Sequence, residues 1–294
     1  MNTALPAGTA TLLTGPSESH SLFSVRVTPL LNRRSRRAPK LRSFMSLLVP
    51  SVLALLVSGF ALAAEPADEL IKKGDIFYAK LQPAEALKYY LPAEELDPAN
   101  VPLLVRIARQ YRHLQTECTR KEDKAKWATM AVSYANRAVK LAPEDPEAQL
   151  AVAVSYGKLL PFESIKEQLT CSKTIKCAAE KCIQLDPHED IPWQVLGRYY
   201  FNYADINPVK RALGNMRYGN IPTATFEQAA KCFEKAIELN PNRLMHFIEL
   251  GCTYAKMNRT ADAKKMITKG LAMTETEKDD PEVKQKGREV LKSL

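Results

Sequence analysis

The ending Leu-x-Pro, met four times at the close of an Ala-rich amphipathic segment, most limits how this 294-residue chain can fold. It stands at Leu96-Asp97-Pro98, Leu141-Ala142-Pro143, Leu185-Asp186-Pro187 and Leu239-Asn240-Pro241. The residue before a proline is driven out of the α region by clash with the pyrrolidine ring, so each site ends a helix for a backbone reason. The clearest copy is 226–241. Apolar or small side chains at Phe226, Ala229, Ala230, Phe233, Ala236, Ile237 and Leu239 recur at helical spacing, with Glu and Lys on the opposite face. No segment alternates strictly between apolar and polar, so the chain reads as all-α.

Each ending is followed by a second helical pattern. The four prolines are separated by 45, 44 and 54 residues. A helix-turn-helix repeat of about 34 residues is the tetratricopeptide period, so the excess reads as insertions of about 11, 10 and 20 residues. The expected fold is a right-handed α-solenoid of tetratricopeptide-like helix pairs with insertions between paired helices. Within it, Gly197 and Gly251 allow close helix approach, while Ala229, Phe233 and Ala236 supply a facing surface. Predicted helices cover 67–81, 84–96, 101–114, 146–159 and 164–185, with another carrying Ala131, Ala135 and Ala138. Pro92 is expected to bend or weaken its helix. Residues 116–126 read as an extended turn or a helix extension, and 205–225 as a long connection.

Residues 1–65 lie outside this pattern and read as a leader. They hold seven basic residues against two acidic ones; the rest carries 35 against 31. Much of the formal charge of +9 is therefore local to the leader. A basic stretch at 33–42, an apolar run at 47–62 and the small-residue pattern Ala61-Leu62-Ala63 predict an export signal cut near Ala63. No cysteine follows that position, which disfavours a bacterial lipid anchor. Two alternatives fit the same residues: a membrane anchor at 45–64, close to the length of about 20 residues that crosses a bilayer, or a mitochondrial transit peptide, given the Ser, Thr and Arg content of 1–43. The repeat domain is 66–294.

Arg106-Ile-Ala-Arg-Gln-Tyr-Arg112, Tyr134-Ala-Asn-Arg-Ala-Val139, Phe162-Glu-Ser-Ile-Lys-Glu167, 175–187 and Leu196-Gly-Arg-Tyr-Tyr-Phe201 follow one another in an order and spacing that resemble the regulator of microtubule dynamics family. The connection at 205–225, leading into Phe226-Glu-Gln-Ala229, is also similar to that family's fourth insertion. The resemblance spans roughly 66–294. It implies a non-enzymatic solenoid; animal members associate with microtubules or mitochondria.

The sequence carries few residues arranged for chemistry. His20, His113, His188 and His246 show no metal-ligand spacing, and the sequence has no phosphate-binding Gly-rich loop, nucleophile elbow or paired-His motif. No catalytic residue, metal or cofactor is predicted. Acidic pairs such as Glu94-Glu95 and Asp279-Asp280 read as solvated helix faces or a loop. Of six cysteines, Cys171 and Cys182 share a helix but are too far apart to bond; Cys182 and Cys232 fall at packing positions. Buried thiols are the first reading and disulfides the second, with Cys118 and Cys171 a geometrically open pair.

In a solenoid the first helices of the pairs line the concave face. Counting along them directs Arg109, Arg112, His113, Gln194, Arg198, Asn202 and Lys256 toward that groove. This set suits an acidic or C-terminal peptide through charge-assisted hydrogen bonds. A second basic patch, Lys210, Arg211 and Arg217, lies in the long insertion and suits anionic lipid or a protein. Nucleic acid is disfavoured by the small net charge of the repeat domain and the lack of a basic-aromatic motif. Two functions follow: a protein-interaction scaffold with a partner segment in its groove, or a carrier or tether for lipid or another apolar ligand, with Tyr200, Phe201, Tyr203 and Met245 as lining. The resemblance adds a third, a microtubule-associated adaptor.

Overall fold

The computed structural model describes residues 65–294. The expected signal cut near Ala63 and the alternative anchor and transit readings fall outside them.

Among the described residues there are twelve α-helices, one 3-10 turn and no strand. The first pair is α1 (Ala67–Ala79) and α2 (Pro83–Leu96); the second is α3 (Val101–Glu117) and α4 (Lys121–Leu141). The third is α5 (Pro146–Leu159) and α6 (Ile165–Leu185), joined through the 3-10 turn Leu160–Phe162. In the fourth, α7 (Ile191–Ala204) is separated from α9 (Phe226–Leu239) by α8 (Pro208–Tyr218). Last come α10 (Leu244–Lys256), α11 (Thr260–Ala272) and α12 (Asp280–Ser293). Consecutive helices pack on one another except at α8, where α7 meets α9 directly; α3, α5, α7 and α10 also meet in series, forming one layer. This is the tetratricopeptide-like solenoid that the repeat spacing predicts.

Local chemistry explains the boundaries. The four Leu-x-Pro sites singled out above each end a helix at the leucine, whereas before Leu81-Gln82-Pro83 α1 already ends at Ala79. Asn100, Asp145, Ser164 and Thr225 cap the helices that follow them, the last two in reciprocal capping boxes with Glu167 and Gln228. α2 continues through Pro92, with Tyr90 and Ala93 buried on either side of it.

The insertions take two forms. Those in the second and third repeats are absorbed as helix length, giving a 17-residue α3 and 21-residue α4 and α6, against 13 and 14 residues in the first pair. The overhang has its own small core, in which Ala128, Val132 and Leu159 are buried with Tyr156 and Phe162 beside them. The fourth insertion instead makes α8, a separate helix.

Small residues set the pair distances. A Cβ added at Gly197 would lie 2.6 Å from Phe233 Cε1, and one at Gly251 2.5 Å from Ile267 Cγ1. Both are helix positions where a methyl group would force apart the helices that it separates. All six cysteines are free thiols; Cys171, Cys182, Cys232 and Cys252 are buried, as the first reading held. Burial pushes Cys182 up to about 12 and Cys232 to about 11, so both remain protonated at neutral pH.

Candidate functional site

The layer formed by α3, α5, α7 and α10 faces a chamber of about 1080 Å³. Its placement follows from helix periodicity. On α3, the i, i+3, i+4 spacing of Arg109, Arg112 and His113 puts all three on the face opposite the hairpin core. On α7, Gln194, Arg198 and Asn202 repeat every four residues and point the same way. Apolar side chains including Val105, Leu150, Ile175, Tyr203 and Met245 share the wall.

The cations differ in what holds them. Arg109 donates through Nη1 to the Tyr78 hydroxyl at 2.7 Å and lies 3.6 Å from Glu147. Arg198 is half exposed and sits 3.9 Å from the buried Glu249, which also accepts from Lys286 at 2.7 Å. Arg112 is 8 % exposed and donates to Ser155 Oγ at 3.0 Å, with no carboxylate partner among the described residues. Burial first, then repulsion from Arg109, lowers its guanidinium to about 9, which leaves it cationic at neutral pH. The same burial, reinforced by Arg112, lowers His113 to about 4 and keeps it neutral. Gln194 is 4 % exposed and its Nε2 has no partner.

One wall has no counterpart in the repeat pattern. The connection between α11 and α12 turns along the chamber as a strap, placing Glu277, Lys278 and Asp279 on it, with Glu282 of α12 next to them. Asp279 accepts from Lys158 Nζ at 2.6 Å and from Thr116 Oγ1 at 2.7 Å. Lys278 reaches Glu117 at 2.6 Å and donates to the Leu81 carbonyl at 3.1 Å, in the α1–α2 turn. Glu277 meets Arg243 at 3.3 Å; Arg243 in turn lies 3.3 Å from Asp190, which is bound to the buried His246. Asp280, 1 % exposed, accepts from the backbone N–H groups of Thr276 and Glu277 and holds the strap's turn. Burial works to raise the Asp279 carboxyl, but Lys158 and Thr116 overcome it and keep it below the ordinary value.

The family model described as Regulator of microtubule dynamics protein 1-3 matches residues 65–294, most of the chain. The chain belongs to that family. Regulator of microtubule dynamics protein 1 of Mus musculus is 24 % identical over 234 residues, covering 79 % of this chain and 76 % of the relative. Protein 2 of the same species is 25 % identical over 192 residues, covering 65 % of this chain and 47 % of the relative. The chain thus spans about half the length of that second relative. Among solved structures, a thermophilic TPR protein of Thermus thermophilus superposes with a TM-score of 0.55 at 15 % identity, covering 76 % of this chain and 98 % of the other. That likeness concerns the fold alone.

For this member of the regulator of microtubule dynamics family, fold and kinship suggest an interaction scaffold, and no catalytic family is indicated. Of the side chains predicted to face the groove, Arg109, Arg112, His113, Gln194, Arg198 and Asn202 line the chamber, whereas Lys256 does not. Lys256 is the last residue of α10 and pairs with Asp205 at 2.7 Å, because it lies about three turns beyond Met245, the α10 residue on the wall, beside the α7–α8 connection. Of the predicted apolar lining, Tyr203 and Met245 reach the chamber; Tyr200 and Phe201 instead pack toward Ala229 and Phe233. The basic patch is divided as well. Lys210 and Arg217 are exposed, but Arg211 donates to the carbonyls of Tyr203, Ile221 and Pro222 and is consumed in holding α8.

The reading of Asp279-Asp280 as solvated is corrected: Asp280 is buried and three-quarters of the Asp279 side chain is covered. Glu94 is likewise 15 % exposed and pairs with Arg137. Lys158, Arg243 and the strap were absent from the predicted site. Lys158 follows the α5 register that carries Ala151 and Val154, a signal open to the same counting; the strap offers no periodicity to count.

Proposed function

We propose that the chain is a scaffold whose chamber takes an extended acidic segment of a protein partner. The carrying observation is the strap: Asp279 on Lys158 and Thr116, and Glu277 on Arg243, exemplify the kind of contact that this wall makes with acidic chain. Beyond the strap, Arg109, Arg112, Gln194, Arg198 and Asn202 offer further donors, and charge-assisted hydrogen bonds from guanidinium groups are the strong ones. Arg112 and the Gln194 amide are the best placed, since burial has removed water from both without supplying a full set of partners.

The test is fluorescence anisotropy with labelled Glu/Asp-rich decapeptides, against Lys-rich ones of equal length. The acidic set binds, and Arg109→Ala with Arg198→Ala weakens it at least tenfold. Retention of affinity in that double variant removes these residues from the site. The relatives' name makes microtubules a candidate source of the segment, and co-sedimentation with assembled microtubules checks that adaptor role.

A second reading, carriage of lipid or another apolar ligand, is supported by the chamber volume and by Tyr203 and Met245 on its wall. Mass spectrometry of the purified protein for bound lipid tests it, and a ligand-free preparation counts against it. The export signal near Ala63 belongs with these proposals; the N-terminus of the processed protein decides it.

A further inference from the structure

Helix α8 carries an apolar stripe that the fold does not use. Val209, Leu213 and Met216 are spaced four and three residues apart, which places them on one side of the helix. They are 68 %, 62 % and 87 % exposed. Large apolar side chains exposed singly are ordinary; three aligned on one short helix are not. No residue of α8 is buried.

The same helix is held firmly from its other side. Arg211 ties it to the carbonyls of Tyr203, Ile221 and Pro222, Asn215 Oδ1 accepts from the Ile221 N–H at 2.8 Å, and a Cβ on Gly214 would lie 2.3 Å from Ile221 Cδ1. The stripe is therefore presented outward on an anchored helix.

Charge decides the occupant. From Ile206 to Phe226 there is no Asp or Glu, while Lys210, Arg211 and Arg217 are all basic. Lys210 and Arg217 each follow a stripe residue by one position, so both flank the same edge of the stripe, and neither has a carboxylate partner among the described residues. Their long aliphatic stems let the charged ends reach outward while the stripe is covered. A stripe of three residues falls well short of the ~1,000 Å² that a stable protein interface requires. An anionic bilayer needs no such area, because shallow insertion of an apolar face and attraction of the flanking cations add together.

We propose that α8 docks on the surface of an anionic membrane, inserting Val209, Leu213 and Met216 among the lipids with Lys210 and Arg217 at the phosphates. The site is separate from the chamber, so the scaffold acts while its α8 side rests on a bilayer. Binding is weak, reversible and salt-sensitive, since one short helix supplies it.

The test uses the full chain with Cys118→Ser, Cys177→Ser and Met216→Cys, labelled at position 216 with an environment-sensitive fluorophore. A probe on α8 reports on this helix alone, even where another part of the chain meets lipid. Vesicles of phosphatidylcholine with 30 % phosphatidylserine, a composition chosen to be roughly as anionic as a cytoplasmic leaflet, are compared with pure phosphatidylcholine. The expected result is a blue shift with the anionic vesicles and none with the neutral ones. Lys210→Glu with Arg217→Glu abolishes the shift, and neutralising either residue to Gln weakens the partition about fivefold. Circular dichroism confirms that the variants are folded. An unchanged spectrum on anionic vesicles overturns the proposal. So does a shift that appears without lipid and grows with protein concentration, which assigns the stripe to a second copy of the chain.

Discussion

The strap at 273–279 and the arm at 205–225 both interrupt the helix-pair rhythm, yet they are built in opposite ways. The strap has no helix of its own and is fastened by charged side chains to α3, α5, α10 and the α1–α2 turn. The arm folds into a helix and is fastened mainly by one arginine to backbone on either side of itself. The strap turns its charges inward and closes a wall; the arm lends the chamber only Ile206 and Ile221 from its two ends and turns the apolar face of its helix outward. A polar linker therefore has no fixed meaning in a solenoid. What distinguishes the two is whether the charges have opposite partners within reach.

Acid separates the two regions most strongly. His113, beside the strap, is lowered by burial to about 4 from an ordinary value of 6.5. The unfolded chain therefore binds the extra proton first, and stability falls as pH drops from 6.5 toward 4, by up to about 3 kcal/mol. Denaturant melts across that range show this slope, and His113→Gln flattens it. Asp279 responds later: its carboxyl is held below 3.8, so the latch persists until the pH falls through that lower folded value. Past Asp205 the arm contains no Asp, Glu or His, and the amide exchange protection of α8 is indifferent to acid until the whole domain unfolds.

Removing the latch comes next. Asp279→Ala strands Lys158 and frees Thr116, costing about 2 kcal/mol in thermal unfolding and opening 273–279 to proteases. Equal resistance in this variant would mean that Lys278 and Arg243 hold the strap without it. On the arm, Arg211→Ala costs only about 1 kcal/mol, but α8 loses its amide exchange protection while α7 and α9 keep theirs. The smallest effect belongs to the stripe: Val209→Ser with Leu213→Ser shifts stability by no more than about 0.5 kcal/mol, because neither side chain is covered by the fold. A larger loss would show that the stripe packs on this chain.

The paired helices, the four proline-marked ends and six of the seven groove-facing side chains are legible in the sequence, since each rests on spacing within a single helix; α8 and α12 are not among the helices it predicts. The same counting fails for Lys256, about three turns past Met245 on the chamber wall, and for Tyr200 and Phe201, where one step around α7 exchanges the chamber for the hairpin core. It also misses how the insertions resolve. Eleven and ten extra residues lengthen helices that already have a neighbour to pack on, whereas twenty with Pro208 at their start make a new one.

The all-α repeat, the pair boundaries and the face on which the arginines gather are thus written locally, because proline sterics and the 3.6-residue period act over a few residues. Three outcomes waited on tertiary packing: that Asp279 and Asp280 are covered, that Arg211 is spent on backbone, and that a strap walls the chamber. They depend on partners 121, 163 and 197 residues away along the chain for the strap, and on carbonyls at both ends of the insertion for Arg211. A charge is solvated or buried according to what meets it in space, and no local pattern records that meeting.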